Sequence, residues 1–355
     1  MCMPDDTKSP AVTGSRGITT RTIVYALSSF ALGAWAFIKV NAISGPAFEP
    51  ILGAYTKYDA KDFVLNTDYH EYEPLLGLGA FNVLVCLITQ FLLELRNTYP
   101  AGILSWGGVI VVSFPATLMS ISAAGRRGGK GPIRYPTVLG LLYQLFGVSV
   151  MFPLVFNPSY MLGGPQFGVP VTKSRVIGGT ALALPGVILT YLVFTVPTDN
   201  YLWTCSAGIL GGPIIALSGL FLFTDKSSTL EATPQNITTS NKALQKAYSL
   251  LAIVGFIFWY SLVYIGYQSY GLALDSLWRD IWTEAGPSVA FMTIDTGVLY
   301  LGILIFLAYQ SEKKALKAAV FTPFVGPATA VCLALKELEQ EAATALLSID
   351  TKKAV

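Results

Sequence analysis

The stretch SVAFMTIDTGVLYLGILIF, residues 288–306, decides the class of fold. Continued to Tyr309, it has the roughly 20 apolar residues that a helix rising about 1.5 Å per residue needs to cross about 30 Å of hydrocarbon. Its single charge is Asp295. Working outward, blocks of similar length and character recur at Thr22–Val40, Leu75–Leu95, Ala101–Ala124, Thr137–Phe156, Val176–Val196, Trp203–Phe223 and Tyr248–Tyr267, with Val289–Tyr309 completing the set. The expected fold is therefore all-α, a polytopic transmembrane helical bundle of about eight spans. A further run, Ala318–Leu335, is short and carries Pro323 and Pro327, so it reads either as a kinked ninth span or as a segment lying at the interface.

Composition agrees. The 355 residues are 53% hydrophobic and 12% charged, with a mean hydropathy of +0.57, against about 25% charged residues in a soluble domain. So few charges cannot cover a soluble surface of this size. The domain division that follows is a polar tail over residues 1–21, a membrane domain over 22–335 and a tail over 336–355. That last tail opens with KELEQEAATALL, amphipathic when wound as a helix. The first residues contain Pro4, Asp5, Asp6 and Lys8, unlike the region before a cleavable signal core, so Thr22–Val40 reads as a retained span.

A net charge of +2 with Lys and Arg confined to loops gives no basis for a nucleic-acid partner. Cys86, Cys205 and Cys332 lie inside apolar runs and Cys2 at the start, which suggests neither a disulfide framework nor a zinc site. Alternating eight spans put the RRGGKGPIR loop (residues 126–134) with Lys57, Lys61 and Arg279 on one face. Lys8, Arg16, Arg21, Lys173, Arg175, Lys226, Lys242, Lys246, Lys313, Lys314 and Lys317 fall on the other. A ninth span would nearly level that count, so the excess of basic residues leaves the orientation open. The sequon Asn236-Ile237-Thr238 is a glycosylation acceptor if its face is lumenal.

Ionisable groups in or beside spans are the first functional candidates, because hydrocarbon makes them expensive. Asp295 lies about one and a half turns into its span and is a candidate proton donor, the alternative being a hydrogen bond to a neighbouring helix. The loop from Asn41 to Pro74 holds Glu49 in SGPAFEP, a Gly and Pro framed turn that could re-enter the membrane, then Asp59, Asp62, Asp68, His70, Glu71 and Glu73. Asp68 and Glu71 are further candidates, or an ordinary solvated loop. One histidine among acids makes no transition-metal site. Aromatic residues crowd Phe256–Tyr260, then Tyr264, Tyr267, Tyr270, Trp278 and Trp282. They fit an interfacial belt, or walls around a cationic intermediate. No phosphate-binding loop, dinucleotide glycine pattern or DDxxD is present, and no cofactor or metal is expected. No fixed-period repeat or matched pair of broken helices is visible, which weighs against a carrier.

The opening TIVYALSSFALGAWAFIKVNAISGPAFEP (residues 22–50) and the late FTPFVGPATAVCLALKE (residues 321–337), with the length and span count, resemble fungal integral-membrane proteins of meroterpenoid and indole-diterpene biosynthesis. These are the membrane-bound terpene cyclases of the ascofuranone, ascochlorin and macrophorin pathways and the membrane protein of paxilline and lolitrem-type clusters. The resemblance implies a cofactor-independent terpene cyclase of the endoplasmic reticulum, acting on a hydrophobic prenylated or epoxyprenylated small molecule and working beside other pathway enzymes. With the residues above it implies Asp295 or Glu49 as proton donor, with Asp68 and Glu71 as alternatives or orienting groups, and aromatic walls that keep water from the carbocation. The rival expectations are a multi-span transporter using the same acid as a proton relay, and a non-catalytic scaffold.

Overall fold

The computed structural model describes residues 18–57, 79–195 and 230–353, and among these every regular element is a helix. In chain order they are α1 (Thr20–Lys57), α2 (Gly79–Asn97), α3 (Ala101–Gly125), α4 (Pro136–Phe146), α5 (Val148–Gly163, with a π-helical turn at Phe152–Phe156), α6 (Lys173–Ala183), α7 (Pro185–Thr195), α8 (Pro234–Tyr270), α9 (Leu274–Arg279), α10 (Pro287–Gln310), α11 (Glu312–Val325) and α12 (Pro327–Lys353). Five helical segments are long and apolar enough to cross a membrane: α1, α3, α6 with α7, α8 and α10.

The bundle is built around α3. In its most apolar window 83% of the residues are buried, against 22% in that of α8, so α3 is the axis and α8 turns most of its surface outward. Small residues make that centre possible. Gly107 meets the Leu262 side chain and Gly108 meets Thr296, where an added Cβ would approach within 2.5 Å and 3.0 Å of those neighbours. Helices approach this closely in a membrane only where side chains are small.

Contacts along the helices sort the loops onto two ends. At one end Arg126, just past α3, pairs with the buried Glu339 of α12, Val171 donates to Ser240 at the start of α8, and Arg21 of α1 donates to the Ala308 carbonyl near the end of α10. At the other end the last turn of α2 meets the start of α10 through Glu94 and Ser288, and α7 ends beside α2. We call these the Arg126 end and the Ser288 end.

Three of the expected spans are not separate straight crossings. Leu75–Leu95 corresponds to α2, which runs antiparallel to the far part of α1: Cys86 packs on Ile51, and Gln90 and Glu94 face Ser44 and Phe48. From there helical bonding continues through Thr98→Glu94 and Gly102→Thr98 into α3, so α2 leads into the α3 crossing from beyond the Ser288 end. Thr137–Phe156 is broken at Gly147 (φ +87), where α4 stops and α5 returns toward the Arg126 end alongside α10, Ser29 and Asn157 joining α1, α5 and Gly302. Ala318–Leu335 is likewise a helical hairpin. Lys314 and Lys317 of α11 bond Glu337 and Glu341 of α12 at its mouth, and its tip, Gly326 (φ +83), rests on Trp259. The run is thus two helices and not one straight crossing. An apolar run of about 20 residues serves a crossing and a hairpin equally, and the positive-φ glycines that separate the two do not register in hydropathy.

Two further expectations change. The SGPAFEP stretch is helix, not a turn, because α1 continues through Pro46 and Pro50; the two prolines stand four apart, so the backbone bonds they remove fall on one side. The division at residue 336 is no structural boundary, since α12 runs through it and buries Leu338, Glu339 and Ala343. The expected span Trp203–Phe223 lies outside the described residues, and the chain flanking it stands on opposite ends, α7 finishing at the Ser288 end and α8 starting at the Arg126 end.

Candidate functional site

Asp295 is 4% exposed and its Oδ1 accepts the Ser149 backbone N–H at 3.2 Å. Ser149 is the second residue of α5, so the carboxylate sits on the open N-terminus that the break at Gly147 creates. The first backbone N–H groups of a helix have no partner of their own and carry the positive end of its dipole. Gly147, whose absent Cβ would lie 3.3 Å from Oδ1, lets the carboxylate approach.

The same construction recurs at α10. Gly286 (φ +85), Pro287 and Ser288 open the helix, and Glu94 of α2 accepts the Ser288 hydroxyl at 2.6 Å through Oε2 and its N–H at 3.4 Å through Oε1. A Cβ on Gly286 would fall 2.0 Å from Oε1, so only glycine lets this acid reach the helix end. Here the carboxyl is half-buried and borders a cleft between α1, α2 and α10. Phe48, Phe91 and Phe291 wall it, with Ser44, Gln90 and Ser288 as its other polar groups. Phe91 and Phe291 meet edge to face at 5.4 Å. The buried amide nitrogen of Gln90, one turn before Glu94, has no hydrogen-bond partner among the described residues. The cleft measures about 40 Å³, room for a water or so.

Of the acids chosen from sequence, Asp295 is buried and Glu49 is exposed on α1, one residue beyond Phe48. Neither lines the cleft, so the structure does not bring them together there. Asp68 and Glu71 lie outside the described residues. Asn236 stands in the first turn of α8, its amide donating to the Glu231 carbonyl. Phe256, Tyr260, Tyr264, Tyr267, Trp278 and Trp282 are exposed on the outer surfaces of α8, α9 and the π-helical turn Asp280–Glu284 that follows, and they do not line the cleft. Sequence reasoning missed Glu94 and Gln90. The signal was present: Glu94 is an acid in the last turn of the run Leu75–Leu95, four residues from Gln90 and on the same face.

Among the described residues no group of three or more His, Cys, Asp or Glu stands close enough to hold a metal ion. Compared with family models, curated proteins and solved structures, the chain finds no match.

Proposed function

We propose that the protein is a membrane-embedded, cofactor-independent cyclase acting on a prenyl or epoxyprenyl chain, with Glu94 as its acid. The observation that carries this reading is the Glu94 carboxyl bordering a cleft walled by Phe48, Phe91 and Phe291. In its acid form Glu94 gives its proton to an epoxide oxygen held by the Gln90 amide. The carbon–oxygen bond opens, the alkene π electrons close the ring, and the cation, sheltered by the ring faces, loses a proton to the Glu94 carboxylate, which restores the acid. The net change is an isomerisation, so no oxidant or reductant is consumed. A greasy substrate arrives through the bilayer.

The site of action in this reading is the endoplasmic reticulum membrane, with the Arg126 end in the cytoplasm. Support comes from the basic residues. Arg21, Arg126, Arg127, Lys130, Arg134, Lys173, Arg175, Lys242, Lys246, Lys313, Lys314, Lys317 and Lys336 gather at the Arg126 end, against Lys39, Lys57, Arg96 and Arg279 toward the other. Such an excess marks the cytoplasmic face. The hairpin of α4 and α5 supports this orientation, because it returns the RRGGKGPIR loop to the side of Lys173 and Lys242. Asn236 is then cytoplasmic and unmodified; enzymatic deglycosylation leaves the mobility of the protein unchanged, and a shift overturns the orientation.

Carriage is the second reading, favoured by one observation, the helical break at Gly147 inside an apolar run. One experiment separates the two. Membranes bearing the protein are incubated with an epoxidised prenylated aromatic, and both product isomers and uptake into sealed vesicles are followed. The cyclase reading expects a ring isomer of unchanged mass, at least about 100-fold slower with Glu94→Gln and unaltered with Glu49→Gln. Uptake with no isomer, or full cyclisation by Glu94→Gln, overturns it.

A further inference from the structure

Most basic side chains whose partners are known at the mouth of the α11–α12 hairpin are neutralised. Lys314 reaches Glu337 at 3.1 Å and Glu341 at 2.8 Å, Lys317 reaches Glu337 at 2.7 Å, and Arg126 holds Glu339. A few ångströms around the bundle the pattern changes. Lys246 of α8 is exposed and makes no ion pair among the described residues, as does Lys242 one turn before it. Lys336 of α12 donates only to a neutral oxygen, Ser249 Oγ, at 2.9 Å. The acids next to Lys336 in sequence are turned away, Glu337 to α11 and Glu339 to Arg126. Among the described residues, three cations are thus left uncompensated on one strip of surface.

That strip borders a groove of about 430 Å³ between α8 and α12, lined by Gln245, Lys246, Ser249, Leu250, Ile253 and Lys336. The groove has two halves. Its polar half lies where the apolar run of α8 begins. Below it Leu250, Ile253 and Ile257, 45%, 59% and 61% exposed, continue the same face of α8 toward the middle of the bilayer. A cationic head with an apolar track running from it is complementary to one kind of molecule.

We propose that this groove binds an anionic phospholipid. The phosphate lies between Lys246 and Lys336, Gln245 and Ser249 supply neutral hydrogen bonds, and one acyl chain lies along Leu250, Ile253 and Ile257. Basic pockets between helices at the cytoplasmic surface take anionic headgroups, because that leaflet carries the anionic lipids and each lysine there strengthens binding about fivefold. Only the choice of leaflet rests on the orientation proposed above; the groove itself does not.

The test uses the full chain purified in detergent, with lipid adducts read by native mass spectrometry, so that orientation plays no part. Phosphatidylserine is compared with phosphatidylcholine at equal concentration, and inorganic phosphate is added as a competitor. Expected is at least a tenfold preference for phosphatidylserine, cut about fivefold by Lys246→Gln and unaffected by Lys313→Gln, which removes the same charge from the same end outside the groove. Millimolar inorganic phosphate leaves the adduct in place. Equal retention of both lipids, an equal loss in the two variants, or displacement by free phosphate alone overturns the site. Thermal unfolding of Lys246→Gln confirms that the comparison is made on folded protein.

Discussion

Asp295 and Glu94 solve the same problem in the same way and end with different chemistry available to them. Each is a carboxyl from one helix set on the first N–H groups of another, behind a glycine of positive φ: Gly147-Val148-Ser149 for Asp295 and Gly286-Pro287-Ser288 for Glu94. A helix N-terminus inside an apolar bundle lacks partners, and so does an isolated carboxyl; joining them offsets both costs. An acid within a span is therefore no sign of catalysis in itself. The two sites differ in what lies beyond the joint. Asp295 is sealed by packing, whereas Glu94 borders a cleft with three phenylalanine rings and an amide still lacking a partner.

Glu339 is the third member of the comparison and the strongest way to probe it. Its Oε2 accepts the N–H of Gly168, again a glycine of positive φ, at 3.2 Å, while Oε1 holds the buried Arg126, whose guanidinium lies over the Phe167 ring at 5.1 Å. Glu339→Gln keeps an acceptor for Gly168 and removes the charge that Arg126 needs. Leaving a buried cation unpaired costs about 3 to 5 kcal/mol, the largest effect expected here, read as a drop in thermal unfolding temperature in detergent. The double variant Glu339→Gln with Arg126→Met recovers much of the loss; no recovery shows that the pair is not the cause.

For Asp295 the comparison predicts a graded series. Asp295→Ala strands the Ser149 N–H and costs about 1 to 3 kcal/mol. Asp295→Asn retains a carbonyl oxygen for it and loses less than half as much. Product formation per folded molecule stays within about twofold of wild type in Asp295→Asn, whereas Glu94→Gln keeps its fold and loses at least about 100-fold in rate. If Asp295→Asn stops turnover without a change in unfolding temperature, the division between a sealed joint and an open one fails.

Much of this architecture is legible in the sequence, and what is not has identifiable causes. The class of fold follows from Val289–Tyr309 and its fellows, because apolar length alone dictates a membrane helix. The number of crossings does not follow, since Leu75–Leu95, Thr137–Phe156 and Ala318–Leu335 are as apolar as true crossings but are an approach to α3 and two hairpins. What distinguishes them is the φ of Gly147 and Gly326 and contacts such as Ile51 with Cys86, which depend on tertiary packing. Asp295 stands out in sequence as a lone acid mid-span, yet its partner Ser149 lies 146 residues away. Glu94 was visible by the same rule and hidden by its place at a span end, where an acid ordinarily reads as interfacial.

The smallest expected effect concerns the mouth of the α11–α12 hairpin, where carboxyls meet lysines instead of helix ends. The hydrogen bond from Lys317, with a second from Lys314, holds the Glu337 carboxyl below its ordinary 4.5, and the bonds from Lys314 to Glu341 and Glu337 raise the Lys314 ammonium above its ordinary 10.5. A depressed carboxyl contributes stability above its unfolded value and loses it as pH falls through the folded one. A raised ammonium contributes below its unfolded value and loses it as pH climbs through the folded one. The contacts are therefore intact from about pH 5 to pH 10 and weaken outside that window. Glu337 is 40% exposed and Lys317 53%, so water and salt screen the pair and the change is small. Hydrogen exchange of the first turn of α11, compared at pH-corrected rates, speeds up below pH 4 in wild type but not in Glu337→Gln, whereas the exchange of α5 behind Asp295 keeps one profile in both. An acid response of α11 that survives Glu337→Gln assigns it to another group.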